Sequence, residues 1–269
     1  MQRKIISFSV LFVFSFAPLA WSEVVYFGKI TAVAGKVESQ RKDAAAAAPA
    51  NVGDMVFEGG SVKTHAASRA GITLRDNSRV FIGPNSKVRL GKFTLDDAEE
   101  TRDAEVDVSY GKLRVITAKI MKATAAGERR PWRNLNFTVE TPTAVAVIKG
   151  SDCVFNVTPD NTDIGCFDGM AIVKNKDPKV EGEEIIGSDE DGSVPKDKPP
   201  SGPSGMTPDE KDALDDGVED GEGEGEGEGE VFPYEPTDAT APLPAGGGGG
   251  GGLPVSGGGG TGCASPPCH

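Results

Sequence analysis

The sequence has few of the residues that most often carry catalysis. Its 269 residues include only two histidines, His65 in the turn-like segment THAAS and His269, and aromatic residues make up 6%. A Ser-His-Asp or Cys-His arrangement would have to use His65, for which the sequence offers no evident companion. No glycine-rich loop lies between a strand and a helix to hold phosphate. We therefore expect a protein that is not an enzyme, with no cofactor and no catalytic metal.

Long apolar runs are absent after the first 22 residues. Two basic residues precede an apolar run from Ile5 to about Phe16, and Ala20 and Ser22 have the spacing of a signal-peptidase site. This run is shorter than the roughly 18 to 20 apolar residues that a bilayer requires, so a cleaved signal peptide over residues 1–22 is favoured over a membrane anchor. We expect an exported protein, periplasmic or extracellular, with no membrane span after cleavage and an oxidising environment.

Basic residues are scarce from Lys176 onward. That part holds 22 of the 41 acidic residues but 5 of the 28 basic ones, a net charge of −17, whereas the residues before it carry +4. It is also rich in glycine and proline, so residues 176–269 are predicted to be a disordered acidic tail, apart from a short helix at TPDEKDALDD. The Gly-Glu repeat from Gly221 to Glu230 is typical of a flexible spacer.

Helical periodicity is nearly absent, and short alternating apolar segments take its place. In AGITLRDNSRVFIGPNSKVRL the apolar residues come as three alternating pairs separated by turn residues: Ile72 and Leu74, Val80 and Ile82, Val88 and Leu90. This pattern predicts an all-β domain over residues 23–175, with short antiparallel strands and hairpins in a sandwich or a solenoid-like stack. About 150 residues are enough to bury about two-thirds of the unfolded surface.

The segment ETPTAVAVIKGSDCVFNV is an apolar strand with an interruption at its middle, at Lys149, Gly150 and Ser151. A glycine inside a strand marks a bulge or a close approach of another group to the backbone. We favour a kink where the strand changes partners. The alternative is a bound ligand that approaches the bare backbone, in which case these three residues are candidate ligand contacts.

Two cysteines, Cys153 and Cys166, flank the segment VFNVTPDNTDIG, in which TPDN is a good four-residue turn. Pairing Val157 with Thr162 across that turn places Cys153 opposite Cys166, close enough for a disulfide. The alternatives are two buried free thiols or a metal pair, which lacks the further ligands that zinc requires.

The second pair of cysteines lies in GCASPPCH, after a glycine run. Cys263 and Cys268 could close a small ring, pair between molecules, or bind a metal together with His269.

One segment, AKIMKATAAGERRPWRN, combines cations with a tryptophan. Its basic residues surround Trp132: Lys119, Lys122, Arg129, Arg130 and Arg133. An exposed tryptophan beside clustered cations suits an anionic partner such as a glycan, and makes Arg129, Arg130 and Trp132 candidate ligand contacts. Because export is expected, we predict no nucleic-acid partner. The alternative is a surface loop or a short helix whose tryptophan caps the edge of a sandwich.

Several of these segments together resemble the FecR domain family, named for the periplasmic part of the iron-dicitrate sensor regulator. The matching pieces span Phe27 to Asn175: GKITAVAGKVE, VGDMVFEGGSVKTHAASRAGITLRDNSRVFIGPNSKVRL, YGKLRV, FTVETPTAVAVIKGSDCVFNV and FDGMAIVKN. Lys149-Gly150-Ser151 stands where the family usually reads Arg-Gly-Thr. The resemblance implies an exported all-β domain. In the family's regulators this domain lies outside a membrane helix, whose cytoplasmic module holds a sigma factor, and receives a signal from an outer-membrane transporter.

We expect a non-catalytic exported binding or scaffold module that contacts an envelope protein or a glycan. The alternative is a soluble periplasmic signalling component that works with a membrane sigma-factor regulator or a TonB-dependent receptor. No segment resembles the cytoplasmic module or the membrane helix of the family's regulators, so we do not expect the chain to pass a signal inward by itself. The sequence does not predict an oligomeric state.

Overall fold

The structure is a computed structural model that describes residues 26–123, 129–132 and 134–218. The predicted signal peptide, the Gly-Glu repeat and the cysteines Cys263 and Cys268 lie outside the described residues. The strands and the helix run in this order: β1 (Tyr26–Ala34), β2 (Val37–Gln40), β3 (Ala48–Pro49), β4 (Met55–Phe57), β5 (Ser61–Thr64), β6 (Arg69–Leu74), β7 (Arg79–Ile82), β8 (Lys87–Asp96), β9 (Thr101–Ile116), β10 (Met121–Ala123), β11 (Arg129–Pro131), β12 (Asn134–Glu140), β13 (Ala144–Val157), β14 (Asn161–Asn175), β15 (Glu183–Ile186), β16 (Glu190–Pro195), β17 (Ser204–Gly205) and α1 (Pro208–Asp215). In this part of the chain no helix has the length and apolar character needed to cross a membrane.

Three long strands, β9, β13 and β14, belong to two layers at once. Each contains a glycine with a positive φ, at Gly111 (99°), Gly150 (60°) and Gly169 (77°). Before its glycine β9 pairs with β8 and β12, and after it with β7 and β13. In the same way β13 moves from β12 to β9, and β14 moves from β16 to β15. The strands therefore fold over at these glycines.

The front layer consists of β2, β3, β5, β8, β12 and β15 with the first halves of β9 and β13 and the second half of β14. The back layer consists of β1, β4, β6, β7, β16 and β17 with the remaining halves of the same three strands. Almost all pairings are antiparallel, but β12 runs parallel to β9. A separate small hairpin joins β10 to β11.

One apolar core lies between the two layers and takes side chains from both. Phe27 of the back layer and Phe93 of the front layer meet edge to face, with their ring centroids 5.5 Å apart. All six residues of the three alternating pairs are buried, and the pairs lie on β6, β7 and β8 as predicted. The all-β fold is confirmed. β6 and β7 form a hairpin, whereas β7 and β8 lie in different layers.

A buried ion pair also crosses the core. Arg102 of β9 and Asp76, in the turn between β6 and β7, are both inaccessible to solvent, and Arg102 Nη1 lies 2.6 Å from Asp76 Oδ2. The Ser78 hydroxyl donates to the same carboxylate oxygen over 2.7 Å. The cost of removing two charges from water is offset only while both partners are present.

The prediction of a disordered tail from Lys176 onward is wrong for residues 176–218. β15 and β16 add to β14 through antiparallel pairing, and Ile186 and Val194 join the core. This segment is rich in acidic residues, glycine and proline, so its composition did not predict strands. Its few apolar residues nevertheless have the spacing that a strand in a sheet needs. The predicted helix is α1, which begins after a capping box formed by Thr207 and Glu210.

Candidate functional site

The interruption in β13 is a corner at which the strand passes from one layer to the other. Gly150 has φ +60°, a left-handed conformation that glycine adopts without the steric cost of a side chain. No atom lies within 4 Å of the place where a Cβ would stand at this position. The conformation, not a lack of space, therefore requires the glycine. This geometry is the kink that we favoured.

Ser151 holds the corner together from inside. It is only 3% exposed, and its hydroxyl oxygen accepts a hydrogen bond from the backbone nitrogen of Met170 over 2.7 Å. The same oxygen lies 2.9 Å from the carbonyl oxygens of Lys149 and Met170. The Ser151 nitrogen donates to Thr117 Oγ1 over 2.7 Å. Ser151 thus fastens β13 to β14 and to the residue after β9, and its hydroxyl makes these hydrogen bonds within the corner.

Lys149 lies on the outside of the front layer. Its ammonium group donates to Asn136 Oδ1, and the Asn136 amide nitrogen donates to Asp103 Oδ1 over 3.0 Å. Its partner across the β13–β14 pairing is Met170, which is 43% exposed. Of the three residues at the corner, Lys149 is the one whose side chain reaches the surface.

The two cysteines after the corner are joined. The hairpin has the predicted register, with Val157 opposite Thr162 and Cys153 opposite Cys166. The two sulfur atoms form a disulfide, with the Cα atoms 4.1 Å apart. Both cysteines are fully buried. The bond covalently closes the hairpin directly after the point where the strands enter the back layer.

Two cations of the segment, Arg130 and Lys122, pair with a carboxylate that sequence reasoning missed. Arg130 makes two hydrogen bonds to the Glu100 carboxylate, of 2.5 and 2.7 Å, and Lys122 lies 2.9 Å from it. The pKa of Glu100 falls to about 2, first because of the Arg130 hydrogen bonds and then because of Lys122. Glu100 lies in the turn between β8 and β9, 30 residues before Arg130, so no local pattern linked the two.

Trp132 is 7% exposed, which contradicts the prediction of an exposed tryptophan among free cations. Its backbone nitrogen donates to the carbonyl oxygen of Ile120. The alternative, in which the tryptophan caps an edge, agrees better with this burial, although part of the segment forms the β10–β11 hairpin and not a loop or a helix. The backbone of Arg129 pairs with Ala123 in the β10–β11 hairpin, and its side chain is not among those that the structure describes.

An apolar patch on the outside of the front layer was not predicted. Across β15, β14 and β13, Ile185 lies opposite Ile172 and Ile172 opposite Val147, with Met170 next along β14. Ile185 is 54% exposed. We name these four residues the front patch. The alternation in AVAVIK and GMAIVKN shows which residues share a face, but not that within the described residues this face is left exposed.

A shallow cavity of about 600 Å³ opens beside the front patch. Its rim carries an ion pair of 3.2 Å between Lys176 and Glu140, and Val145 and Lys174 line it next to the patch. Charged side chains of both signs therefore border an aliphatic centre, an arrangement that protein interfaces share.

Over residues 26–123, 129–132 and 134–218, no group of three or more His, Cys, Asp or Glu side chains is arranged to hold a metal ion. His65 lies 3.3 Å from the Glu38 carboxylate, and the pKa of Glu38 is lowered first by this contact and then by Lys36. The pair lies near the surface at the edge of the front layer.

The chain is similar to known proteins over part of its length. The family model described as FecR protein matches residues 60–171, which include β5, the corner at Gly150 and the disulfide. Two crystal structures of a proposed anti-sigma factor from Parabacteroides distasonis, at 2.50 and 1.65 Å resolution, are similar at 13% and 12% identity. Both matches have a TM-score of 0.36 and cover 51% of this chain and 55% of the other, so the chain spans about half their length. Such a low structural similarity carries no argument about function. No curated protein matches the chain.

The family match covers the corner, the disulfide and the central strands of both layers, and it agrees with the motifs that suggested the family. Residues 60–171 of this chain therefore belong to a domain of the FecR family.

Proposed function

We propose that the chain is an exported, non-catalytic signalling component that binds an envelope protein and works with a separate membrane sigma-factor regulator or TonB-dependent receptor. The observation that carries this proposal is the FecR family match over residues 60–171. In the family's sigma-factor regulators, the same domain receives a signal outside the membrane. A signalling role is therefore favoured over a passive scaffold.

Two features support export. The first is the signal peptide expected at residues 1–22. The second is the buried disulfide between Cys153 and Cys166, since such bonds persist in oxidising compartments and are rare in the cytosol.

The front patch is the surface that we assign to the partner. It presents aliphatic side chains side by side on a sheet face, and contiguous exposed apolar surface of this kind marks interaction sites. The patch contains no aromatic ring that could stack on a sugar, and Trp132 is buried elsewhere. A protein partner therefore fits this face better than a glycan. Lys149 and Lys174 border the patch and would contribute to orientation more than to affinity.

The test is a genetic replacement in the native host. We would delete the gene, restore it with wild type or with Ile185→Asp, and measure transcription of sigma-factor-controlled transport genes after induction. A charge that is buried in an interface without a partner is costly, so Ile185→Asp should abolish the response that wild type restores. Met55→Asp is the matched control, because Met55 is 49% exposed on β4, away from the patch.

Each outcome has a separate meaning. If the deletion strain responds normally, the signalling role is wrong. If Ile185→Asp restores the response as well as wild type does, the patch is not the binding surface. Secreted protein levels and the urea midpoint of each variant would show that the changes act on binding and not on folding.

A further inference from the structure

The segment from Ser204 to Val218, which we name the latch segment, lies against the outside of the back layer. Leu214 and Met206 rest on the bare backbone of Gly165 in β14. A Cβ at Gly165 would lie 2.6 Å from Leu214 Cδ1 and 2.9 Å from Met206 Sδ. Any larger residue at this position would therefore displace the latch segment.

Val154 is the partner of Gly165 across the β13–β14 pairing. It is fully buried, yet it is not part of the core between the layers. In β13 the residues on either side of it, Cys153 and Phe155, do belong to that core, so Val154 faces outward. Its burial on the outer face indicates that this face has a cover, and α1 contacts β13 there.

Two basic residues of β9 bind the second half of α1. Lys112 Nζ donates to the carbonyl oxygens of Ala213 and Asp216, over 2.7 and 2.9 Å. Arg114 Nη1 donates to Asp215 Oδ1 over 2.6 Å. These contacts match a cation to the negative end of a helix and to a carboxylate on its last turn. The face is therefore built to accept an acidic helix in one orientation.

The latch segment is weakly held in comparison with the sheet. No residue of α1 itself is buried, and the fully or nearly buried side chains of the segment, Met206 and Val218, lie on either side of the helix. An eight-residue helix is not stable alone in water, so α1 exists because it is docked. Elements with few buried apolar contacts open at a lower free energy than the core strands. Release of the segment is therefore expected to require less free energy than unfolding of the sandwich.

We propose that the face formed by Val154, Gly165, Lys112 and Arg114 is a docking groove for a short acidic helix of a partner protein, and that α1 occupies this groove until the partner displaces it. The partner helix places one leucine or methionine on Gly165 and a carboxylate on Arg114. This inference rests on the proposed function, since it gives the signalling component a second, gated binding surface.

The test uses the full chain and a fluorescent peptide with the sequence of residues 204–218. Met206→Ser with Leu214→Ser removes both side chains that rest on Gly165 and leaves the groove intact. The peptide should bind this double variant at least ~10-fold more tightly than wild type, because in wild type the groove is free in less than about a tenth of the molecules. Fluorescence anisotropy gives both dissociation constants.

Two matched controls show whether binding occurs at the groove. Adding Gly165→Val to the double variant should abolish peptide binding, since Gly165 has no positive φ and valine suits a strand but fills the space beneath the helix. A peptide with Asp215→Lys should lose its affinity, whereas one with Asp212→Lys should keep most of it. Urea midpoints of the variants confirm that the sandwich remains folded.

Equal affinity of the peptide for wild type and the double variant would overturn the proposal, as would binding that survives Gly165→Val. A concentration-dependent dimer of wild type that the double variant does not form would identify a second copy of this chain as the occupant, and would overturn the assignment to a partner protein. The peptide assay involves no transcription, so its failure and the failure of the signalling role can be told apart.

Discussion

Two strands, β13 and β14, meet at the corner between the layers, and each has a glycine there. We expect replacement by alanine to lower the free energy of unfolding by different amounts at the two glycines. Gly150 and Gly169 both have positive φ values, of 60° and 77°. At Gly150 an added Cβ meets open space. At Gly169 it would lie 2.6 Å from the carbonyl oxygen of Gly150 and 2.8 Å from Ser151 Cα, so the backbone of the facing strand must move. Gly169→Ala should therefore destabilise the protein more than Gly150→Ala.

The magnitudes follow from these contacts. The left-handed conformation costs a residue with a Cβ about 1 to 2 kcal/mol, which is the whole expected effect of Gly150→Ala. Moving Ser151 also weakens its hydrogen bonds at the corner, and two such bonds contribute about 1 to 3 kcal/mol. We therefore expect about 2 to 5 kcal/mol for Gly169→Ala. Gly150→Asn should cost less than Gly150→Ala, because asparagine tolerates the left-handed region.

Urea unfolding of the oxidised protein measures these differences directly, provided that the slope of free energy against urea is unchanged. A loss of 1 kcal/mol corresponds to roughly 2 to 4 °C in Tm for a domain of this size. The reasoning would be refuted if Gly150→Ala cost as much as Gly169→Ala. In that case the free space around the added Cβ, which is present at Gly150 and absent at Gly169, would not determine the loss of stability.

Three further predictions concern the disulfide, the loss of stability at low pH and the buried ion pair. Replacing Cys153 and Cys166 together by serine should lower the free energy of unfolding by about 3 kcal/mol, measured in urea; an unchanged midpoint would show that the bond does not constrain the unfolded chain. Because the folded pKa of Glu100 is about 2, below its usual 4.5, its contribution is present above about pH 4.5 and is lost as the pH falls towards 2. Stability of Glu100→Gln should therefore fall less steeply than that of wild type in this window, and parallel curves would contradict the Glu100 ion pair. Asp76→Ala should cost about 3 to 5 kcal/mol, because it strands the Arg102 charge in the core, whereas adding Arg102→Met should recover part of that loss in thermal unfolding.

Local information was sufficient to predict the strands and one hairpin. The alternating pairs of β6, β7 and β8 needed only the period of a pleated strand, and the register of β13 with β14 followed from the turn between Val157 and Thr162. In that turn Thr158 Oγ1 donates to the carbonyl oxygen of Asn161 and accepts a hydrogen bond from the Asn161 nitrogen. Such contacts span three residues, so the sequence pattern contains them.

The remaining features depend on residues far apart in the chain. The parallel pairing of β9 with β12 and the passage of three strands between layers have no signal within a short window. Arg130 and Trp132 were misjudged because the carboxylate that pairs with Arg130 belongs to a distant turn. Gly165 drew no notice for the same reason, since the side chains that rest on it come 41 and 49 residues later. Average composition also hid the strands that follow Asn175.

Three strands, β9, β13 and β14, continue from one layer into the other, so the two halves of the domain, its front and back layers, should not unfold separately. Hydrogen-bonded chains carry any loss of order from one half directly into the other, so far-ultraviolet circular dichroism should report a single transition. For the same reason, neither half can be excised as a smaller stable module. Protein engineers who wish to borrow this scaffold would have to take all of it, and would find room for inserted sequence only in its surface turns.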